Sequence, residues 1–184
     1  MDWRIAATVI TSVFLAFAGY IATYLNNLRL LRHKEQLNRV NRQLREFYGP
    51  LFAIRQVSSV AWRAFRSLYR PGKPFWNKES QPTEEEAAAW RLWMSEVFMP
   101  LNTRIMEIII ENADLLDEKE FPECLLQLSA HVTSYKPVLK AWESGDYSIH
   151  VSVINFPLEL DNYVNSKYQE LKRRQEQLIG KVKV

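Results

Sequence analysis

The sequence predicts an all-α protein: an N-terminal transmembrane helix continuing into an amphipathic helix, then a cytoplasmic helical bundle. Three observations carry this. Residues 5–25 contain no charged side chain, a run long enough to cross hydrocarbon as a helix. Beyond it, apolar residues recur at three- and four-residue spacings, the period of an amphipathic helix. The 184-residue chain also holds only five glycines, too few for the tight turns of a strand-rich fold. The organisation that follows is a membrane anchor over 1–27, a juxtamembrane amphipathic helix over 28–48 and a helical bundle over 49–184.

The uncharged run covers about 30 Å at the helical rise of about 1.5 Å per residue, the thickness of a bilayer's hydrocarbon core. Trp3 at one end, and Tyr20 with Tyr24 near the other, suit the interfacial aromatic belts. Asp2 and Arg4 precede the run, whereas Arg29, Arg32, Lys34, Arg39 and Arg42 follow it. Basic flanks stay inside the cell, so the N-terminus is expected outside and the bundle in the cytoplasm of a bacterial inner membrane. Ala16-Phe17-Ala18 has the form of a signal-peptidase site. The apolar run extends well past it into a basic cluster, however, and an uncleaved anchor is expected. Thr8, Ser12, Ala16, Gly19 and Thr23 form a stripe of small residues, an expected packing face for another membrane helix.

From Leu30 the pattern His33, Leu37, Val40, Leu44 and Phe47 marks the amphipathic helix. It is long enough for a short coiled coil with a second copy. Its basic face, Arg29, Arg32, Lys34 and Arg39, is expected to meet anionic lipid. Gly49-Pro50 then predicts an interruption, because proline brings no amide donor. A second helix should run over 51–69 with Leu51, Ile54, Val57, Ala61, Phe65 and Leu68 inward. A proline-flanked loop to Pro82 carries Phe75-Trp76, expected to be open enough to touch a partner. Thr83 with Glu86 reads as a capping box for a third helix. Pro100 should break or kink that helix before a fourth reaches Leu116. Pro122 is placed at the first position of a fifth helix, kinked at Pro137 and ended at Ser144-Gly145-Asp146. A last helix is expected from about Asn155-Phe156-Pro157 to Ile179, with a polar tail over 172–177.

Four segments of the soluble part, Leu44-Arg-Glu-Phe-Tyr-Gly-Pro-Leu-Phe52, Val97-Phe-Met-Pro-Leu-Asn102, Cys124-Leu-Leu-Gln-Leu-Ser-Ala-His131 and Ile154-Asn-Phe-Pro157, resemble those of a bacterial family. That family is an uncharacterised one of small, single-span membrane-anchored helical proteins. The resemblance implies a bacterial source and brings no activity with it.

The net charge of +3 conceals a division. Residues 29–73 hold eleven basic side chains against two acids, and residues 79–123 hold twelve acids against three basic side chains. These stretches could attract one another within the fold, or the acids could form a solvated helix face. A single cysteine, Cys124, excludes an internal disulfide.

Phosphate-loop, dinucleotide, zincin and nucleophile-elbow motifs are all missing, and no cofactor or metal is expected. His131 stands one turn before Tyr135, and Glu107 one turn before Glu111. Together they could make an acid–base site, although a hydrogen-bonded core histidine is the plainer reading. Asp146 and His150 invite a weaker version of the same thought. Trp62, Trp90, Trp93 and Trp142 read as core anchors.

The expected function is that of a non-enzymatic, membrane-anchored interaction protein, an accessory subunit or scaffold. Its partners would be membrane lipid and another membrane protein or its own copies. No small-molecule substrate is expected and nucleic acid is disfavoured. The competing expectation is a membrane-tethered effector, either an enzyme with its site near His131 or a pore-forming oligomer.

Overall fold

The computed structural model describes residues 3–76 and 80–180, and helices are the only regular structure among them. The chain divides into two compact units, one formed by Met1–Asn41 with Arg174–Val184 and the other by Arg42–Arg173.

The first unit is dominated by helix α1 (Trp3–Arg42). Its N-terminal stretch is long and apolar enough to cross a membrane, and none of that stretch is buried. Val9, Ile10, Phe14, Leu15 and Phe17 stand exposed, an arrangement that an apolar solvent accepts and water does not. The small-residue stripe lies on this exposed stretch. The Thr8 and Thr23 hydroxyls donate back to the carbonyls of Arg4 and Gly19, both at 2.9 Å, so neither adds an unpaired donor. Nearer the C-terminal end of α1, Val40 is buried and Asn41 Oδ1 accepts from Gln175 Nε2 at 2.7 Å.

The second unit contains α2 (Gly49–Tyr69), α3 (Glu84–Trp93), α4 (Met99–Glu111) and α5 (Glu123–Glu143). A further helix, α6, covers Leu160–Gly180, starting later than Pro157. Gly49-Pro50 does not interrupt the chain. Gln43–Tyr48 forms a π-helical turn instead, in which Gly49 N–H bonds the carbonyl of Leu44, five residues back. The wider turn takes up the register that the proline, lacking an amide and crowding the carbonyl four residues earlier, would otherwise disrupt. Pro100 is handled in the same way. Met94–Phe98 is a second π turn, closed by Met99 N–H on Met94 O, and the chain stays helical from α3 into α4.

The capping box forms as expected. Glu86 N–H donates to Thr83 Oγ1 at 3.2 Å and Thr83 N–H to Glu86 Oε2 at 2.7 Å. Pro122 sits one position earlier than predicted, as the cap residue with extended ψ 126. Gly145 takes φ +82 just beyond the end of α5, a left-handed conformation that glycine adopts without strain.

The core combines Phe47, Leu51, Ile105, Leu115, Leu125, Leu128 and Leu160, all essentially sealed. A cluster of rings surrounds Phe65, with Phe75, Trp90, Trp93 and Phe98 at centroid distances of 5.3, 6.2, 5.4 and 5.9 Å. The predicted face of α2 is corrected here. Val57 and Leu68 are 59% and 71% exposed, whereas Arg55 and Ser58 are turned inward with Leu51 and Phe65. The oppositely charged stretches meet only in part. Arg70 reaches Glu86 at 2.8 Å and Arg42 reaches Asp114 at 3.7 Å, while Arg91 with Glu84 and Arg104 with Glu107 pair close in sequence.

Candidate functional site

The inward polar residues of α2 lead to a cavity of about 380 Å³ inside the second unit. Arg55, Ser58, Ser59 and Trp62 recur at helical spacing and form one wall. Trp90 of α3 and Met94 and Phe98 of the second π turn form another. Asn102 of α4, then His131 and Tyr135 one turn apart on α5, supply the polar floor. The remaining side belongs to residues 151–158 of the link before α6 and to Asp161.

That link has no regular secondary structure, and its carbonyls are held by side chains from the helices around it. Trp142 Nε1 donates to Ile149 O at 2.7 Å, Trp90 Nε1 to His150 O at 3.0 Å and Gln127 Nε2 to Asn155 O at 3.1 Å. His131 Nδ1 lies 2.6 Å from Ile154 O, which also accepts from Ser152 Oγ at 2.6 Å. A carbonyl can only accept, so Nδ1 carries the proton and Nε2 is left as an acceptor. Burial holds the imidazole below its ordinary pKa, only partly offset by the bond to Ile154. The ring is therefore neutral near pH 7.

The charged residues of the cavity neutralise one another. Arg55 Nε and one terminal nitrogen of its guanidinium donate to the two Asp161 oxygens at 2.6 and 3.1 Å, a two-point pairing. The guanidinium also lies 4.7 Å from the centre of the Phe156 ring. Two polar atoms remain without a hydrogen-bond partner, Asn102 Oδ1 and the Tyr135 hydroxyl, on side chains only 4% and 2% exposed. The nearby Trp90 N–H donates to His150 O and offsets the effect of burial on the Tyr135 phenol only slightly, without a well-formed hydrogen bond to its hydroxyl. Burial pushes the Tyr135 phenol well above its ordinary pKa, keeping the hydroxyl protonated.

No family model, curated protein or solved structure matches this chain.

Of the residues singled out in the sequence, His131 and Tyr135 do come together, their ring centres 5.3 Å apart and edge to face. The expected carboxylates do not join them. Glu107 pairs with Arg104 at the surface and Glu111 is exposed. Among the described residues no group of three or more His, Cys, Asp or Glu is placed to hold a metal ion. Asp146 and His150 stay apart in role: Asp146 Oδ1 accepts from Ser148 N–H at 2.9 Å, while His150 stacks on Trp76 at 4.2 Å.

Phe75, expected to be open, is buried against Phe65 and Trp90, because the loop folds back over the aromatic cluster. Trp76 is half-buried beside it. Arg70 fastens the same loop, donating to Pro74 O at 3.0 Å, to Gln81 O at 3.4 Å and to Ser80. Trp90 and Trp142 are buried anchors as expected, whereas Trp62 is partly open and lines the cavity. Asn102, Arg55 and Asp161 had no sequence signal as a group. The one available hint was a run of polar residues, Arg55, Ser58 and Ser59, at helical spacing within an otherwise apolar helix.

Proposed function

We propose that this chain is a single-pass protein of the bacterial inner membrane, N-terminus outside and bundle in the cytoplasm. It acts without catalysis, as an accessory subunit or scaffold of a membrane complex or as a self-assembled oligomer. The observation that carries this reading is the exposed, uncharged stretch of α1, followed by Arg29, Arg32, Lys34 and Arg39 on its C-terminal side. Those cations suit anionic headgroups of the inner leaflet. The stripe of Thr8, Ser12, Ala16, Gly19 and Thr23 supports close approach of a second membrane helix. Trp76 is the member of the loop pair that keeps surface for a protein partner.

Topology is tested with single cysteines at Asp2 and Gln177 in a Cys124→Ser background. A membrane-impermeant maleimide applied to spheroplasts should label the first site and spare the second. Labelling at Gln177 from outside refutes the orientation. Extraction in mild detergent followed by mass measurement should return an oligomer or a complex. A monomer with nothing bound removes the interaction role.

A second reading, an effector whose site includes His131, is favoured by the cavity. His131→Asn discriminates, because an asparagine amide keeps a donor toward Ile154 while removing the second ring nitrogen. Loss of a cellular phenotype in a folded, membrane-located His131→Asn protein would support the effector. An unchanged phenotype would leave the histidine with its structural bond alone.

A further inference from the structure

We infer that the cavity in the second unit is a binding site for an uncharged, flat, mostly apolar small molecule with a hydrogen-bond donor, such as a fused two-ring aromatic alcohol. This goes beyond the scaffold reading and does not depend on it.

Four features specify the occupant. The volume of about 380 Å³ lies within the range of ligand pockets, roughly 300–1,000 Å³, and toward its small end. Trp62, Trp90, Phe98 and Phe156 contribute ring surfaces that suit a flat apolar body. Polar requirements are set by atoms that the protein leaves unserved. Asn102 Oδ1 is buried and can only accept, and the buried Tyr135 hydroxyl can donate or accept. A buried acceptor without a donor is costly, and native proteins rarely keep one idle. A ligand O–H or N–H removes that cost.

Formal charge is excluded by the fourth feature. Arg55 and Asp161 satisfy each other through two bonds, and His131 is neutral, so no unpaired ion waits in the cavity. A charged ligand would lose its hydration without gaining a counter-ion. The lining also includes an apolar side chain open to the outside, since Leu158 is almost fully exposed.

The full chain in lipid nanodiscs is dialysed against three probes of similar shape: 2-naphthol (neutral, one donor), naphthalene (no donor) and 2-naphthoate (anion). Ser59→Phe serves as the reference for partition into lipid, because Ser59 is a half-buried lining residue whose enlargement fills the cavity from the helix surface. The wild-type protein should retain 2-naphthol above the Ser59→Phe reference, and bind naphthalene and 2-naphthoate at least about tenfold more weakly.

Asn102→Leu, close in shape but without the acceptor, should fold with an unchanged or higher melting temperature and weaken 2-naphthol about tenfold. Tyr135→Phe should weaken it less, since Asn102 still receives the donor. Equal retention of 2-naphthol by wild type and Ser59→Phe overturns the site. Equal affinity for 2-naphthoate overturns the neutrality of the ligand, and unchanged 2-naphthol affinity in folded Asn102→Leu overturns the role of the idle acceptor.

Discussion

Replacing a helical glycine by alanine ordinarily stabilises a helix by about 0.5–1 kcal/mol. At Gly49 the opposite sign is expected. A Cβ added there would run into the carbonyl carbon and oxygen of Leu44, which are backbone and cannot rotate away. That carbonyl is the one accepting the Gly49 N–H across the π turn. Relief would require the turn to drop its extra residue, rotating the flanking segments by about 100° relative to each other. Phe47, Tyr48 and Leu51 are sealed in the core and would all leave their sites. Overpacking of this kind costs typically 1–3 kcal/mol. Taking about 3 kcal/mol for a backbone clash and subtracting the propensity gain leaves a net loss of about 2 kcal/mol. For a chain of this size that is a fall in Tm of about 4–8 °C. The assay is thermal unfolding followed by tryptophan fluorescence in mild detergent, with Gly180→Ala as control, since nothing lies within 4 Å of a Cβ there. A Gly49→Ala protein that melts at or above the wild type would refute the reasoning.

Other predictions follow from the same structure. Asp161→Ala strands a buried guanidinium and should cost about 2 kcal/mol, whereas Arg55→Met should cost about 1 kcal/mol because the Asp161 side chain is 52% exposed and can hydrate; denaturant unfolding that reverses this order contradicts it. His131 binds its proton less readily folded than unfolded. Its contribution to stability is therefore complete above an unfolded pKa of about 6.5 and is lost as pH falls below that, levelling under the depressed folded value. His131→Asn should flatten the dependence of Tm on pH as pH falls below about 6.5, and a slope equal to wild type argues against this assignment. Thr83→Ala should cost about 1 kcal/mol by removing the cap of α3, with Thr83→Ser close to wild type; equal melting temperatures for the two variants would deny the cap its role.

Several elements were legible because their signals are local. The capping box needs only Thr83 and Glu86 three residues apart, and it formed. Gly145 marked the end of α5 for an equally local reason, its left-handed backbone. The two prolines show where local reasoning stops. Pro50 and Pro100 each lack an amide, which alone predicts a break, yet a π turn keeps both helices running. Sealing Phe47, Tyr48 and Leu51 around the first turn, and Met94, Phe98 and Met99 around the second, compensates for the irregular bonding.

The candidate site was the least legible part. Apolarity placed Val57 and Leu68 of α2 inside, while the buried face carries Arg55 and Ser58. A guanidinium belongs inside only when its counter-ion is also present, and Asp161 lies 106 residues further along the chain. No periodicity in α2 encodes that distance. His131 was visible as a candidate, but its partner is the carbonyl of Ile154, a backbone group that every residue type possesses.

The sequence by itself determined the helical class, the uncharged segment able to span a membrane and most helix ends, because each depends on residues within a few positions of one another. Tertiary structure decided the rest: which face of α2 turns inward, how the prolines are absorbed, and the cavity where Asn102 and Tyr135 stand unpaired. Those outcomes rest on burial and on pairings between distant segments, whose energies exist only once the helices have come together.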